Sequence, residues 1–211
     1  AVRAGKLAWT GQYTFDSTWR VPDRGPSKDV YDLAGLPYKQ GFARQKDFVQ
    51  DDLQILRSDL QYAISNDWDL RWVLAHRTAS QDFDHYYAGT YDPQKRLLNQ
   101  NYAWQETDNK TSKSALTLNG RFNTGALTHK VSLGFDLEHE ERSPTLATLR
   151  NQAISPFDDP ENWPRLSTRP AATISNEHRA TSNALFVQDL IGLTSNFKLM
   201  VGGRRDSYRF N

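Results

Sequence analysis

Hydrophobic and polar residues alternate along several stretches of this chain. In the first stretch the hydrophobic positions are Leu7, Trp9, Tyr13 and Phe15, and the polar positions between them are Thr10, Gln12, Thr14 and Asp16. Successive side chains of a β-strand point to opposite faces, so this spacing predicts a strand with one apolar and one polar face. Such a pattern is typical of a strand that has lipid on one side and water on the other.

The same alternation recurs down the chain and predicts seven strands. In the fifth strand, for example, Val131, Leu133 and Phe135 share one face. The predicted strands cover residues 6–18, 52–65, a stretch starting near 69, a stretch ending near 123, a stretch around 130–137, residues 182–193 and residues 197–210. Residues 97–106 also alternate, and we interpret them as a lengthening of the fourth strand rather than as an eighth strand.

The connections between these strands fall into two classes. Residues 66–67, 123–125 and 194–196 have the composition of tight hairpin turns. The other connections, predicted at 19–50, 84–101 and 140–181, are long and contain the prolines, which suit irregular loops better than strand interiors. Short turns at one end of a sheet and long loops at the other are typical of outer-membrane β-barrels.

We therefore predict an all-β fold, an antiparallel up-and-down transmembrane β-barrel segment of about seven strands with short periplasmic turns and long extracellular loops. A soluble β-sandwich is the alternative, but its loops would have similar lengths at both ends. Bacterial single-chain barrels have an even number of strands. Because seven strands would leave two unpaired edges in hydrocarbon, this segment is not expected to seal a pore by itself.

The composition agrees with a β-barrel and argues against several other classes of protein and of site. Mean hydropathy is −0.74 and no run of 18 apolar residues occurs, which excludes a transmembrane helix. The 26 basic residues nearly balance the 25 acidic ones and are scattered, so nothing indicates a nucleic-acid partner. The absence of cysteine excludes disulfides, thiolate metal sites and cysteine nucleophiles.

Three segments carry a resemblance to a known family. They are VPDRGP at 21–26 after an aromatic strand, LQY at 60–62 followed by WDLR at 68–71, and ALFVQD at 184–189 followed by FKLMVGGRRD at 197–206. Together these segments resemble TonB-dependent siderophore receptors, in which a strand ending in Gln-Asp precedes one ending in Gly-Leu-Arg-Tyr-Asp. Gly203 and Arg205 depart from that pattern, and alternation places Arg205 near the outer interface, where its long stem reaches headgroups.

The resemblance implies a function. The family's members are 22-stranded barrels of the bacterial outer membrane, filled by an N-terminal plug, which take up ferric siderophores with energy passed on by TonB. No plug, no TonB-contacting segment and only about a third of the strands are recognisable in this sequence. The chain also begins without a signal peptide, and its only methionine is Met200. We therefore expect residues 1–211 to be a partial receptor barrel domain, either processed or excised from a longer protein.

The resemblance also implies the partners: a ferric siderophore, outer-membrane lipid and lipopolysaccharide, and TonB acting through a plug domain missing from this chain. No cofactor is expected to bind directly, and iron enters only as part of the ligand. Basic and aromatic loop residues suit bulky anionic iron complexes. The candidates are Trp19, Arg20 and Arg24 in the first loop, Tyr86, Tyr87 and Tyr91 in the second, and Trp163 and Arg165 in the third. The alternative is that the aromatic residues are membrane-edge girdle residues and that the arginines bind lipopolysaccharide or neighbouring acids.

The sequence offers little for catalysis or metal binding. The five histidines are dispersed without a recognised zinc spacing, and no phosphate loop or serine elbow occurs. The chain is therefore not expected to be an enzyme. Two alternatives to the receptor remain: a small outer-membrane barrel hydrolase, which needs a Ser–His pair at matched depth facing the lumen, and a soluble all-β ligand-binding module.

Overall fold

The computed structural model describes residues 2–22 and 24–211. Long strands dominate these residues because the alternating segments can each place one face against a different solvent. The strands are β1 Val2–Ala4, β2 Leu7–Arg20, β3 Phe48–Ala63, β4 Trp68–Asp92, β5 Leu97–Thr124, β6 Leu127–Ile154, β7 Ile174–Ser175, β8 His178–Gly192 and β9 Lys198–Phe210. One short helix, α1 Lys28–Ala34, and a 3-10 turn at Pro160–Asn162 lie in the loops.

All described strands belong to a single antiparallel sheet. Each long strand pairs with the next one in the order β2-β3-β4-β5-β6-β8-β9. The two short strands extend this sheet at β2 and at β6, since β1 pairs with β2 and β7 pairs with β6. The up-and-down order and the seven long strands confirm the sequence prediction.

The predicted tight turns are all present. They join β3 to β4, β5 to β6 and β8 to β9 at one end of the sheet, which we call the turn end. Gly125 has a φ of +61°, a left-handed conformation that glycine adopts without steric cost. The opposite end, called the loop end, carries the long connections.

The predicted loop at 84–101 is wrong. β4 continues to Asp92 and β5 begins at Leu97, so only a tight turn separates these strands. Alternation fails in this region because side chains on both faces of the strand are buried. His85 and Tyr86 are neighbours in the chain and point to opposite faces, yet both are buried. The interpretation of residues 97–106 as a lengthening of the fourth strand is confirmed.

The last long loop is shorter than predicted. β6 runs on to Ile154, leaving residues 155–177 as the connection to β8. Pro144 lies inside β6 and pairs with Thr107, although a proline was expected in a loop. It falls where β6 changes its partner, because the pairing to β8 ends at Arg142 and the pairing to β7 begins at Thr145, and prolines are tolerated at such interruptions.

Large hydrophobic side chains form a band across one face of the sheet, which we call the apolar face. One row of directly paired residues runs Trp9, Leu60, Trp72, Leu116, Phe135 and Leu185, and the next runs Leu7, Tyr62, Leu70, Leu118, Leu133 and Val187. Most of these side chains are exposed, including Trp9 at 44% and Leu133 at 45%. They therefore do not meet one another in the interior of a globule.

The opposite face, called the polar face, carries charges linked into ion pairs. Asp59 lies 2.5 Å from the Arg71 guanidinium and 3.4 Å from that of Arg57, and Arg204 bonds Asp136 at 3.0 Å. The two faces thus differ as the alternation predicts, one suited to hydrocarbon and one to water.

Two glycines allow a test of packing on this sheet. A Cβ atom added to Gly134 would lie 2.1 Å from the Phe186 ring, whereas one added to Gly203 meets nothing within 4 Å. We expect Gly134→Val to lower the free energy of unfolding by about 2 kcal/mol, because the ring must leave its place. Gly203→Val is expected to be neutral or slightly stabilising. Urea titration of both variants in detergent micelles checks this, and equal losses would contradict it.

Candidate functional site

The two long loops pack together at the loop end of the sheet. The connection between β2 and β3 (the first loop) and residues 155–177 (the last loop) share a hydrophobic cluster, which we call the loop cap. Its buried members are Leu36, Phe42, Leu98, Ile154 and Trp163. Phe42 and Trp163 stack with ring centroids 5.6 Å apart and planes 16° apart, so the two loops are held to each other as well as to the strands.

Arg44 connects the parts of the loop cap. Its guanidinium lies 3.5 Å from the ring centroid of Tyr86. The residue as a whole is only 3% exposed. Nη1 donates to the carbonyl oxygen of Pro164, and Nη2 donates to Oε1 of Gln100. Burial lowers the pKa of Arg44 to about 10, so the side chain is still a cation at neutral pH. One residue of the first loop therefore bonds both a strand and the last loop.

Asp47 is the buried acid next to this cation. It is fully buried, and its Oδ2 accepts hydrogen bonds from the backbone N–H groups of Arg44 at 2.8 Å and Tyr86 at 3.1 Å. Its Oδ1 lies 3.8 Å from Arg165 Nη2. Burial raises the pKa of Asp47, and the two backbone hydrogen bonds oppose that shift. These hydrogen bonds hold the end of the first loop against β4 at the point where β3 begins.

A second cluster ties the last loop to β4 and β5. The Arg169 guanidinium lies 4.0 Å from the Trp104 ring centroid and 2.5 Å from Glu106. The Trp104 indole donates to the carbonyl oxygen of Pro170 at 2.9 Å. Arginine over an aromatic ring gains both charge–quadrupole attraction and contact area, so this arrangement supports the position of the loop.

The loop cap lies against one face of the sheet. Tyr86, Tyr102 and Trp104 have the same strand parity as Trp72 and Leu116, so both loops pack on the apolar face, beyond the hydrophobic band. The polar face at the loop end is enclosed in part, since His85 on that face is buried as well.

The described residues contain no metal-binding group of three or more His, Cys, Asp or Glu side chains. None of the helices in residues 2–22 and 24–211 is long and apolar enough to cross a membrane. The polar face offers a charged surface for binding.

Comparison with known proteins identifies the family. The sequence profile described as TonB dependent receptor-like, beta-barrel, matches residues 2–211. The chain belongs to this family. No curated protein is significantly similar to it in sequence.

Solved structures of siderophore receptors have the same fold. The siderophore receptor PiuA from Acinetobacter baumannii matches 97% of this chain with a TM-score of 0.75 and 16% identity, over 33% of its own length. The ferripyoverdine receptor of Pseudomonas aeruginosa matches 99% with a TM-score of 0.80 and 11% identity, over 29% of its length. The ferric-catecholate import receptor Fiu of E. coli K12, in its open form, gives a TM-score of 0.76 over 35% of its length, at 15% identity and 97% coverage of this chain. The chain thus spans about a third of these receptors.

Four of the predicted ligand residues of this receptor chain lie in or against the loop cap. Tyr86 and Trp163 are 2% and 3% exposed, and Tyr91 packs against the same cluster. The Tyr86 hydroxyl accepts a hydrogen bond from the backbone N–H of Leu166 at 2.9 Å. Arg165 is exposed beside the buried Asp47, 5.7 Å from the Tyr86 ring. In this conformation these side chains contact the receptor's own loops.

The other four candidates are spread over the two faces. Trp19 is 62% exposed on the apolar face, while Arg20 is on the polar face, where it bonds Asp51 at 2.6 Å. Tyr87 is also on the polar face, with the Arg24 guanidinium 5.7 Å from its ring centroid. The structure therefore brings Arg24 and Tyr87 together and separates them from Trp19. Arg44, which organises the loop cap, carries no motif or spacing by which the sequence alone could have identified it.

Proposed function

We propose that the chain is part of an outer-membrane receptor that takes up ferric siderophores with energy transmitted by TonB. One observation carries this proposal: the sheet has a hydrophobic band on one face and charged side chains on the other, as the wall of a transmembrane β-barrel requires. Membership of the TonB-dependent receptor family supports it. The structural neighbours named as siderophore receptors support it further.

In this proposal residues 1–211 form a partial barrel domain, and the remaining strands and a plug come from sequence outside it. The apolar face then contacts outer-membrane lipid, and the polar face lines the lumen. Lipopolysaccharide meets the outer surface at the loop end, where Trp19 is exposed. TonB acts through the plug, and iron is cargo within the siderophore rather than a cofactor of this chain.

The same observation distinguishes the proposal from its alternatives. A soluble binding module would expose the hydrophobic band to water, and exposed apolar surface of that extent favours aggregation. A barrel hydrolase needs a Ser–His pair on the polar face. His76 bonds Ser112 at 2.9 Å, but both share the parity of Leu74 and Leu116 on the apolar face. We therefore propose transport without chemistry by this chain.

Uptake measurements test the proposed function. We expect cells that express the intact receptor containing this chain to accumulate radioactive iron from a ferric siderophore, and to lose that uptake when TonB is deleted or the receptor gene is removed. A matched strain with a receptor lacking residues 1–211 controls for other routes. Uptake that is unaffected by loss of the receptor for every siderophore class tested would refute the proposal.

A further inference from the structure

His85 is a buried histidine on the polar face at the loop end. The residue is 3% exposed and stands between two rings of β4 on the same face. The Phe83 ring centroid lies 5.1 Å from the imidazole centroid, and the Tyr87 ring centroid lies 5.7 Å from it. Nδ1 of His85 lies 3.3 Å from the carbonyl oxygen of Tyr86. All these neighbours belong to this chain, so contacts with any further segment could only bury the imidazole more deeply.

The first loop runs along the edge of β4 next to this histidine. β3 pairs with β4 no further than Asp84, and beyond that point the edge of β4 bonds the first loop instead. The backbone N–H of Ala88 donates to the carbonyl oxygen of Arg24 at 3.0 Å. The backbone N–H of Tyr86 donates to Oδ2 of Asp47 at 3.1 Å. The first loop therefore takes the place of a neighbouring strand at this edge.

Residues 24–25, which we call the strap, join the polar face to the loop cap. On the polar face the Arg24 guanidinium lies 5.7 Å from the centroid of Tyr87, one of the two rings beside His85. A Cβ atom added to Gly25 would lie 2.7 Å from the Tyr31 hydroxyl, and Tyr31 packs against the loop cap. The strap is thus held between β4 and the loop cap.

The surroundings of His85 suit a neutral imidazole. Burial lowers the pKa of His85, and the nearby charge of Arg24 lowers it as well, whereas the backbone carbonyl of Tyr86 and the charge of Asp84 oppose the shift. The β5 residues that share this face and pair with positions 83, 85 and 87 carry no charge; they are Gln105, Ala103 and Asn101.

The acids around the imidazole are already engaged within the described part of the chain. Asp84 points to the apolar face, where it accepts a hydrogen bond from the Tyr102 hydroxyl at 2.8 Å. Asp47 accepts two backbone N–H groups at the strand edge. Farther along the polar face, Asp51 pairs with Arg20 at 2.6 Å. A protonated imidazole at this position would be a buried charge without a carboxylate partner, which is unfavourable unless water reaches it.

We propose that the strap is released by acid: protonation of His85 drives residues 24–25 off the edge of β4 and frees the first loop to move. The strap is the neighbour that moves, because the strands on this face are fixed by their sheet pairing. The opened state binds the proton more readily than the closed one, so opening becomes more favourable as the pH falls below about 6.5, the usual pKa of histidine. This device does not depend on which ligand the receptor takes up.

Amide hydrogen exchange at Ala88 in the intact purified receptor tests the strap, since this N–H is bonded to Arg24. The rates are corrected for the intrinsic pH dependence of exchange. We expect Ala88 to be about tenfold less protected at about pH 5 than at about pH 7.5, which corresponds to a change of about one pKa unit on opening. Amides in the hydrophobic band should keep their protection.

Variants of His85 assign the effect. His85→Gln is neutral at both pH values, so protection of Ala88 should no longer depend on pH. His85→Phe continues the row of rings and provides a second neutral variant if glutamine disturbs folding. His85→Lys carries a charge at both pH values and should lower the protection of Ala88 about tenfold at each. Barrel folding of every variant is checked by the gel shift that heating produces.

His76→Gln is the matched control. His76 lies on the same strand, exposed on the apolar face, so this variant should keep the pH dependence of the parent. Equal protection of Ala88 at both pH values in the parent would overturn the inference. A pH dependence that persists in His85→Gln and His85→Phe would also overturn it, because another group such as Asp47 would then be responsible. Neither result bears on uptake of a ferric siderophore, which is measured separately.

Discussion

Replacing Leu133 with arginine is expected to prevent stable insertion of the barrel into the outer membrane. Leu133 lies within the hydrophobic band, paired with Leu118 on one side and Val187 on the other. An arginine on the lipid face near the bilayer midplane costs about 2–4 kcal/mol, a large share of the stability of a typical domain. Quantifying heat-modifiable, membrane-inserted receptor in cells measures the effect, and we expect it to fall severalfold.

The control for this variant is its neighbour in the chain. Ser132 points to the polar face, where it bonds Asn119 at 2.8 Å. Ser132→Arg places the same charge at the same depth but in the aqueous lumen, so we expect a loss below about 1 kcal/mol. If both variants insert equally well, or if Ser132→Arg is the more harmful, the assignment of the two faces is wrong.

Replacing Arg44 with alanine is expected to release the two long loops from the strands. The substitution removes the bonds to Gln100 and to the carbonyl oxygen of Pro164 and the contact with the Tyr86 ring, and it leaves Arg165 as the cation near the buried Asp47. Losing buried hydrogen bonds of a charged group costs about 3 kcal/mol. Amide hydrogen exchange in the first and last loops should accelerate about a hundredfold, while exchange in the membrane-spanning parts of β3 to β6 stays unchanged.

Lys28→Ala is the control for loop exchange. Lys28 is an exposed cation of the same loop, and it pairs with Asp32 within α1 and not with the strands or the last loop. Exposed pairs of this kind contribute less than about 1 kcal/mol, so exchange in the last loop should be unaffected. If loop protection in the Arg44→Ala variant equals that of the parent, Arg44 does not hold the loop cap together.

Alternation predicted the sheet because hydrocarbon and water impose opposite demands on neighbouring side chains. Leu116, Leu118 and Leu133 therefore reveal their face from the sequence alone. Alternation no longer predicts the strands near the loop end. There the loop cap covers Tyr86 on one face, and His85 is buried on the other face. With both faces enclosed, a strand no longer alternates, and β4 and β5 were mistaken for a loop between 84 and 101.

The functional residues were harder to predict for a different reason. An aromatic loop residue such as Trp163 can face a ligand or another loop, and its sequence neighbours are the same in both cases. The structure shows that Trp163 stacks on Phe42, more than a hundred residues away in the chain.

The length of β5 and β6 has a consequence for what meets this protein first. Each strand has 28 residues, whereas crossing a bilayer takes only about 9–11. If the hydrophobic band spans the membrane, as proposed, more than half of each strand extends beyond the lipid as a rigid part of the sheet. A molecule that approaches the cell from outside would then meet these strand ends before it reaches any lipid headgroup.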